Sequence, residues 1–311
     1  MQRRVHFIVG PTAIGKTFLS ERIAEKIRVE IISADSRQIY RYMDIGTAKP
    51  EKNFRQKVVH HFIDICDPDD YYSAGIFGRE ARQTIEKIFT DGDALPLVVG
   101  GSGFYIKALV DGIFELQTRD ELVRQKLEKR LEREGVGQLY AFLQQVDPVY
   151  AAKISANDRQ RILRALEVYL TTGKPFSSFH AKKPQAADFK PVFWGLDTER
   201  KILYRRIENR VERMLKQGLI EEVQLLLNKG FRPELNALNT VGYKEVIQYF
   251  NRLLTYEQMV ELIKRNSRRY AKRQLTWFRA DNRINWYDAE KTANLEKLAE
   301  KIVALMTSEA W

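Results

Sequence analysis

Short apolar runs punctuate a chain otherwise patterned for helices, and their placement predicts the architecture. Val5-His6-Phe7-Ile8-Val9, Val29-Glu30-Ile31-Ile32-Ser33, the stretch from Val58 to Ile65, and Leu95-Pro96-Leu97-Val98-Val99 read as strands. Phe18–Ile27 reads as a helix between the first two. Ser73–Phe89 precedes the fourth strand, with Ile76, Phe77, Ala81, Ile85 and Ile88 at helical spacing, and Phe104–Val110 follows it. A helix between two strands joins them as a parallel pair. The continuous apolar run at Leu95–Val99 suits a strand covered on both faces.

From about Glu115 the texture changes. Asp120–Glu134 is densely charged and helical, Gln138–Val146 and Asn157–Thr171 read as further helices, and Lys182-Lys183-Pro184-Gln185-Ala186-Ala187 reads as a linker. Strand character returns at Val192-Phe193-Trp194-Gly195-Leu196. Helices follow at Arg200–Gln217, at Leu219–Asn228 after the break at Gly218, from Asn239 onward, and at Thr255–Ala280. Ile284–Tyr287 reads as a last strand and Thr292–Met306 as a last helix. The expectation is an α/β fold: a parallel sheet flanked by helices, interrupted by an all-helical insertion. Residues 1–114 would begin the core, 115–190 would form the insertion, and 191–311 would complete the core.

The first strand runs into Gly10-Pro11-Thr12-Ala13-Ile14-Gly15-Lys16-Thr17 and then into a helix, the P-loop arrangement. Gly10 and Gly15 permit turns that a side chain obstructs. The loop's N–H groups and the helix N-terminus then converge on one spot suited to phosphate. Lys16 adds a mobile cation, and the Thr17 hydroxyl can ligate a magnesium ion bridging two phosphates. The core is therefore P-loop NTPase-like. The second strand ends at Ala34-Asp35-Ser36-Arg37-Gln38, on the sheet edge where ligands of such folds bind. Asp35 can hold magnesium, accept a proton from a nucleophile, or merely cap a turn. Tyr40–Pro50, polar and turn-rich, is expected near the same edge. Gly100-Gly101-Ser102-Gly103 is a second glycine-rich strand-to-helix turn, able to approach a phosphate or a flat ring closely.

Charge and composition refine this picture. The 311 residues suffice for about two domains. Lys and Arg outnumber Asp and Glu, 52 to 41, giving a formal charge of +11 that favours a polyanionic partner. On the Thr255–Ala280 helix, Arg265, Arg268, Arg269, Lys272 and Arg279 fall in one stripe with no interleaved acid, opposite Met259, Ile263, Tyr270 and Trp277. A cationic stripe unpaired with internal carboxylates points to a phosphate backbone. A further arginine group opens the helix at Asn157-Asp158-Arg159-Gln160-Arg161-Ile162-Leu163-Arg164. His60 and His61, adjacent in a strand, point to opposite faces and do not share a metal ion. The single cysteine, Cys66, reads as a buried thiol. No apolar run is long enough to span a membrane, and the start leads directly into the first strand, so a cytoplasmic protein is expected.

These residues match a family pattern nearly end to end. GPTAIGKT, ISADSRQIYRYMDIGTAKP, Asp67-Pro68, Tyr72-Ser73-Ala74, VVGGSGFY, NDRQRILRALEV, NTVGYKE and AKRQLTWFR together resemble the bacterial tRNA dimethylallyltransferases. Ile14 stands where a Ser is usual, and Ser102-Gly103-Phe104 where a Thr-containing version is usual. Neither change removes a required group. The resemblance implies transfer of a dimethylallyl group from dimethylallyl diphosphate to the N6 amine of the adenine 3′ to the anticodon, in tRNAs reading codons that begin with U. Gly10 to Thr17 would hold the diphosphate, with magnesium on Thr17. Asp35 would accept the amine proton, and Arg210 would contact the diphosphate. By the same resemblance Asp35, Ser36, Arg37 and Gln38 read the flipped adenine and its neighbours. Ser102, Arg124, Gln160, Arg161, Ile162, Leu163 and Arg164 would touch the tRNA, as would Asn239, Val241, Gly242 and Tyr243, and Lys272, Arg273 and Gln274. The partners implied are the tRNA anticodon loop and dimethylallyl diphosphate, with no membrane, and the enzyme is expected to be a monomer. A small-molecule P-loop kinase or an adenylate isopentenyltransferase using AMP or ATP would share the loop but not need the basic stripe. A non-enzymatic RNA-binding module would leave Asp35 unexplained.

Overall fold

The computed structural model describes residues 3–113, 120–181 and 184–309. Two compact units emerge, one from the residues up to Val110 and from Ala186 onward, the other from Asp111–Gln185. In chain order the first unit begins β1 (Arg4–Val9), α1 (Lys16–Ala24), β2 (Val29–Ala34), α2 (Lys52–Lys57), β3 (His60–His61), α3 (Ala74–Asp91), β4 (Leu95–Gly100) and α4 (Gly103–Val110). The second unit holds α5 (Glu121–Val146), α6 (Pro148–Ala151), α7 (Arg159–Thr172) and a 3-10 turn at Phe176–Ala181. The first unit then resumes with β5 (Lys190–Asp197), α8 (Arg200–Lys216), α9 (Leu219–Asn228), α10 (Tyr243–Phe250), α11 (Tyr256–Arg279), β6 (Ile284–Asp288) and α12 (Thr292–Glu309).

The six strands form one sheet in the order β3-β2-β4-β1-β5-β6, every neighbouring pair parallel. After the helical unit the chain re-enters the sheet because β5 pairs directly with β1, from Arg4 opposite Lys190 to Val9 opposite Gly195. Phe7, Ile8 and Leu97 on the central strands are fully buried, as a sheet covered by helices on both faces demands. The C-terminal ends of β1, β2 and β4 therefore open together on one edge.

Helix ends follow local chemistry. Ser73 caps α3 by accepting the Ile76 N–H, and Thr255 closes a capping box with Gln258 at the start of α11. In the second unit the predicted pair of helices at Asp120–Glu134 and Gln138–Val146 is one stretch, α5, broken at Gly135 with φ 81°. Its core is built from Leu127, Leu131, Leu139, Leu143, Ile162, Leu163 and Leu166, and no strand occurs among its described residues. The strand expected from Val58 to Ile65 shrinks to His60–His61, because Phe62 and Asp64 turn into left-handed backbone at φ 63° and 57°. The two histidines go separate ways: His60 Nδ1 meets the Val58 carbonyl at 2.8 Å, His61 Nε2 meets Glu30 at 2.7 Å. Cys66 is buried. Among the described residues no helix is long and apolar enough to cross a membrane. Lys182 and Lys183 of the predicted linker, and position 115 where the insertion was expected to begin, lie outside the described residues.

Candidate active site

Gly10 ends β1 with φ 148°, packed so closely that a Cβ would stand 2.8 Å from the Leu196 carbonyl oxygen. Gly15 takes φ 112° as the N-cap of α1, which starts at Lys16. These two left-handed turns wrap the loop around the helix N-terminus, whose N–H groups and dipole favour an anion. Lys16 folds back over the loop, Nζ donating to the Gly10 carbonyl at 3.0 Å and the Pro11 carbonyl at 2.8 Å. Burial pulls its pKa down to about 7; Asp35 opposes that shift and Arg210 reinforces it. Arg210, on α8, is likewise pulled down by burial, with Asp35 opposing.

Asp35 follows β2 directly. Its Oδ1 accepts the Arg37 N–H at 2.9 Å, and the adjacent Ser36 N–H donates to Ser102 Oγ, also at 2.9 Å. The glycine-rich turn after β4 thus braces the loop that carries Asp35. Tyr270, on α11, is pushed up to about 12, by burial first and by Asp35 second, with Ser102 hydrogen-bonding its hydroxyl. Lys16, Asp35, Arg210 and Tyr270 therefore share one electrostatic neighbourhood.

That neighbourhood is a cavity of about 1160 Å³. Thr12–Thr17 form one wall, Asp35–Gln38 and Gly46–Ala48 a second, Arg206, Ile207 and Asn209–Met214 of α8 a third, and Asn239–Gly242 with Tyr270, Arg273 and Gln274 close the rest. Eight Lys or Arg residues line it against four Asp or Glu, so it suits a polyanion. Gly10 and Pro11 lie behind the loop, supplying carbonyls to Lys16. Arg206, Arg210 and Arg213 come from one face of α8, spaced by four and three residues, a signal that spacing alone could have supplied. Arg206 donates to the carbonyls of Ile14 at 3.4 Å and Ala289 at 2.9 Å, bracing the loop from outside. Tyr270, read from the sequence as part of a packing face, stands on the cavity wall instead.

Several side chains expected to touch RNA turn inward. Gln274 is buried; Nε2 donates to the Gly101 carbonyl and Oε1 accepts the Thr12 N–H, both at 2.9 Å. Gln38 lines the cavity but donates to the Thr47 and Ala48 carbonyls and accepts the Ser33 hydroxyl. The Ser102 hydroxyl serves Ser36. Tyr243 is fully buried, its hydroxyl donated to Glu222. In the second unit Ile162 and Leu163 belong to the core. Arg124 there is held by Glu128 at 2.8 Å and Glu167 at 3.7 Å, and donates to Gln160 at 3.2 Å. Arg164 also meets Glu167, at 3.2 Å, while Gln160 and Arg161 stay exposed. On α11, Arg268 pairs with Glu208 and Arg279 with Asp197, each at 2.6 Å, so the basic stripe is partly neutralised by other elements. Arg265, Arg269, Lys272 and Arg273 remain exposed.

A family model described as IPP transferase matches residues 38–281. The chain belongs to the IPP transferase family. It is 46% identical over 305 residues to the tRNA dimethylallyltransferase of Carboxydothermus hydrogenoformans, covering 97% of each chain. It is also 46% identical over 285 residues to that of Thermotoga neapolitana, covering 92% of each. Among solved structures it resembles the full-length tRNA isopentenylpyrophosphate transferase of Bacillus halodurans, with TM-score 0.71, 38% identity, and coverage of 100% of this chain and 97% of that one. A eukaryotic dimethylallyltransferase acting on tRNA superposes with TM-score 0.81 at 29% identity, across 99% of this chain and 79% of that one. The parallel sheet with its flanking helices matches these structural neighbours, and in this IPP transferase the arginine-lined cavity lies on the sheet edge that carries the phosphate loop.

Proposed function

We infer that this IPP transferase family member is a tRNA dimethylallyltransferase that moves the allyl group of dimethylallyl diphosphate onto N6 of the adenine beside the anticodon. The observation that carries this reading is Asp35: a carboxylate within electrostatic reach of Lys16 and Arg210, in the same cavity as the phosphate loop. The exocyclic amine attacks the allylic carbon as the carbon–oxygen bond breaks. The electron pair leaves on the diphosphate oxygen, and the amine proton passes to Asp35. The loop N–H groups, Lys16 and Arg210 face the growing negative charge, and a preorganised cationic wall lowers the barrier without reorganising. Lys16, near neutrality in the free protein, is charged once the diphosphate is beside it.

Magnesium fits the residues present. Thr17 is exposed at the start of α1 and lines the cavity with Asp35, while no group of three or more His, Cys, Asp or Glu residues able to hold a metal occurs among the described residues. Such a donor set suits an ion held largely by the ligand's own phosphates. When bound, magnesium would neutralise charge on the leaving diphosphate. The adenine must leave its stack to reach the cavity, at a cost of a few kcal/mol. Arg265, Arg269, Lys272 and Arg273 on α11 would hold the loop's phosphates, and Gln160 and Arg161 would contribute from the second unit.

The test offers labelled dimethylallyl diphosphate with unmodified tRNA, with AMP, and with no acceptor. Label in tRNA alone is expected. Label in AMP would move the protein to the adenylate prenyltransferases, and no label in either would remove the prenyl chemistry.

A further inference from the structure

Glu222 lies on α9, away from the phosphate loop, and is buried although Glu is among the residues least often enclosed. Its partners are not cations. Oε2 accepts the backbone N–H groups of Asp44 at 2.8 Å and Ile45 at 2.7 Å. Oε1 accepts the Gly46 N–H at 3.0 Å and the Tyr243 hydroxyl at 2.6 Å. Three successive N–H groups form a concave anion nest of the kind that binds phosphates. Here the anion is part of the chain. A carboxylate so enclosed is tolerable only with its lone pairs filled, so the four bonds hold their segments firmly.

Those segments are two walls of the cavity. Beyond the nest, Gly46–Ala48 line it, and the Thr47 and Ala48 carbonyls take both bonds from the Gln38 amide, next to Arg37 in the Asp35 loop. On the other side Tyr243 opens α10 directly after the cavity-lining turn Asn239–Gly242. Its ring packs against Gly46 so tightly that a Cβ there would lie 2.3 Å from a ring carbon. Burial and the neighbouring Glu222 raise the Tyr243 pKa well above the ordinary phenol, so the hydroxyl remains a donor. Glu245 secures the same turn by accepting the Gly242 N–H at 2.6 Å. The phosphate wall has separate anchors, Gln274 on Thr12 and Arg206 on Ile14.

We propose that Glu222 is a positioning residue for the acceptor base: it locks the Gly46–Ala48 loop to the Asn239–Gly242 turn, so that a nucleobase entering the cavity meets Asp35 in one orientation. Glu222 touches neither substrate. This rests on the transferase reading and deepens it, because it divides the cavity into a diphosphate half that does not depend on Glu222 and a base half that does. A nucleobase is planar and rigid, and a displacement of about 1 Å between reacting groups costs about 100-fold in rate.

The test compares the parent with Glu222→Gln and Tyr243→Phe. Glu222→Gln keeps the shape but turns an amide NH2 toward backbone donors. Three quantities are read for each: thermal melting, pyrophosphate affinity by calorimetry, and steady-state transfer with tRNA and dimethylallyl diphosphate each varied while the other is saturating. For Glu222→Gln, kcat/KM for tRNA falls about 100-fold, while pyrophosphate affinity and KM for the allylic diphosphate stay within about threefold of the parent. Tyr243→Phe keeps the buried ring, removes one hydrogen bond, and lowers kcat/KM for tRNA about tenfold with the same selectivity. If Glu222→Gln does not fold, Tyr243→Phe decides alone. Unchanged tRNA kinetics in the folded variants, or parallel losses on both substrates, would overturn the assignment. A parent that transfers nothing to tRNA would instead overturn the transferase reading.

Discussion

The backbone N–H of Thr12 donates to Oε1 of Gln274, 262 residues further along the chain, at 2.9 Å. The same amide donates through Nε2 to the Gly101 carbonyl at 2.9 Å. One buried side chain on α11 therefore ties the phosphate loop after β1 to the glycine turn after β4. It also uses the Thr12 N–H, so the anion is received by the later N–H groups of the loop and by Lys16.

Gln274→Glu tests that tie. The carboxylate still accepts from Thr12 but faces the Gly101 carbonyl with no proton to offer, and it adds negative charge beside the phosphate site. Loss of a buried hydrogen bond with its partner left behind costs about 1–3 kcal/mol. Pyrophosphate affinity should fall by about tenfold or more, with a lower melting temperature. Calorimetric titration and a thermal melt measure both, and unchanged pyrophosphate affinity would show the tie to be dispensable.

Asp35→Asn separates proton acceptance from anion binding. Removing a general base costs about 10²–10⁴ in rate. Removing a negative charge from a cavity built for an anion should leave pyrophosphate binding intact or tighter. A single-turnover transfer assay beside the pyrophosphate titration gives both numbers. Parallel loss of binding and transfer would make Asp35 a structural or metal-holding group.

The phosphate loop, Asp35 and their common edge were legible because each is local: a motif of eight residues, and a βαβ crossover whose strands run parallel and so end on the same edge, although β4 lies between them in the sheet. Three features were not legible, each for a reason that lies between elements. The cationic stripe of α11 looked unpaired because Glu208 and Asp197 sit on α8 and β5. The run from Val58 to Ile65 looked like a strand because its composition suits one. Yet Lys49 and Arg55 hold Asp64 in a turn, and β3 is an edge strand with a single neighbour. Ile162 and Leu163 lie inside a recognisable motif, yet they face the helical unit's core, and a motif match does not say which of its side chains point outward.

Lys16 makes diphosphate binding proton-linked. Folding lowers its pKa from an ordinary 10.5 to about 7. Between those values the unfolded chain holds a proton that the folded protein lacks, so stability of the ligand-free protein rises with pH across that window. Pyrophosphate stabilises the ammonium and raises the pKa again. Binding at about pH 8.5 should therefore take up about one proton, and binding at about pH 6 close to none. Calorimetry in two buffers of different ionisation enthalpy counts the protons. Equal uptake at both pH values would assign the linkage to another group. Lys16→Met should remove the rise in stability from about pH 7 to about pH 9 that this lysine contributes.

The ion pairs of α11 predict unequal salt behaviour among its cations. Each phosphate contact made by a free cation releases counterions, and the slope of log affinity against log salt falls by about 0.7–0.9 when such a contact is lost. Lys272 is exposed on the stripe, so Lys272→Ala should weaken tRNA binding and shrink the slope by about that amount. Arg268 differs: Nη1 lies 2.6 Å from Glu208, and the guanidinium also approaches the Tyr204 ring at 6.0 Å. Its charge is already balanced within the protein, so it displaces few ions from the RNA. Arg268→Ala should weaken binding, since Glu208 is left facing the RNA unpaired, while the slope stays close to that of the parent. Filter binding at several salt concentrations resolves the two variants. Equal reductions in slope would mean that Arg268 leaves Glu208 to meet a phosphate, and an unchanged slope in both would move the RNA to another face.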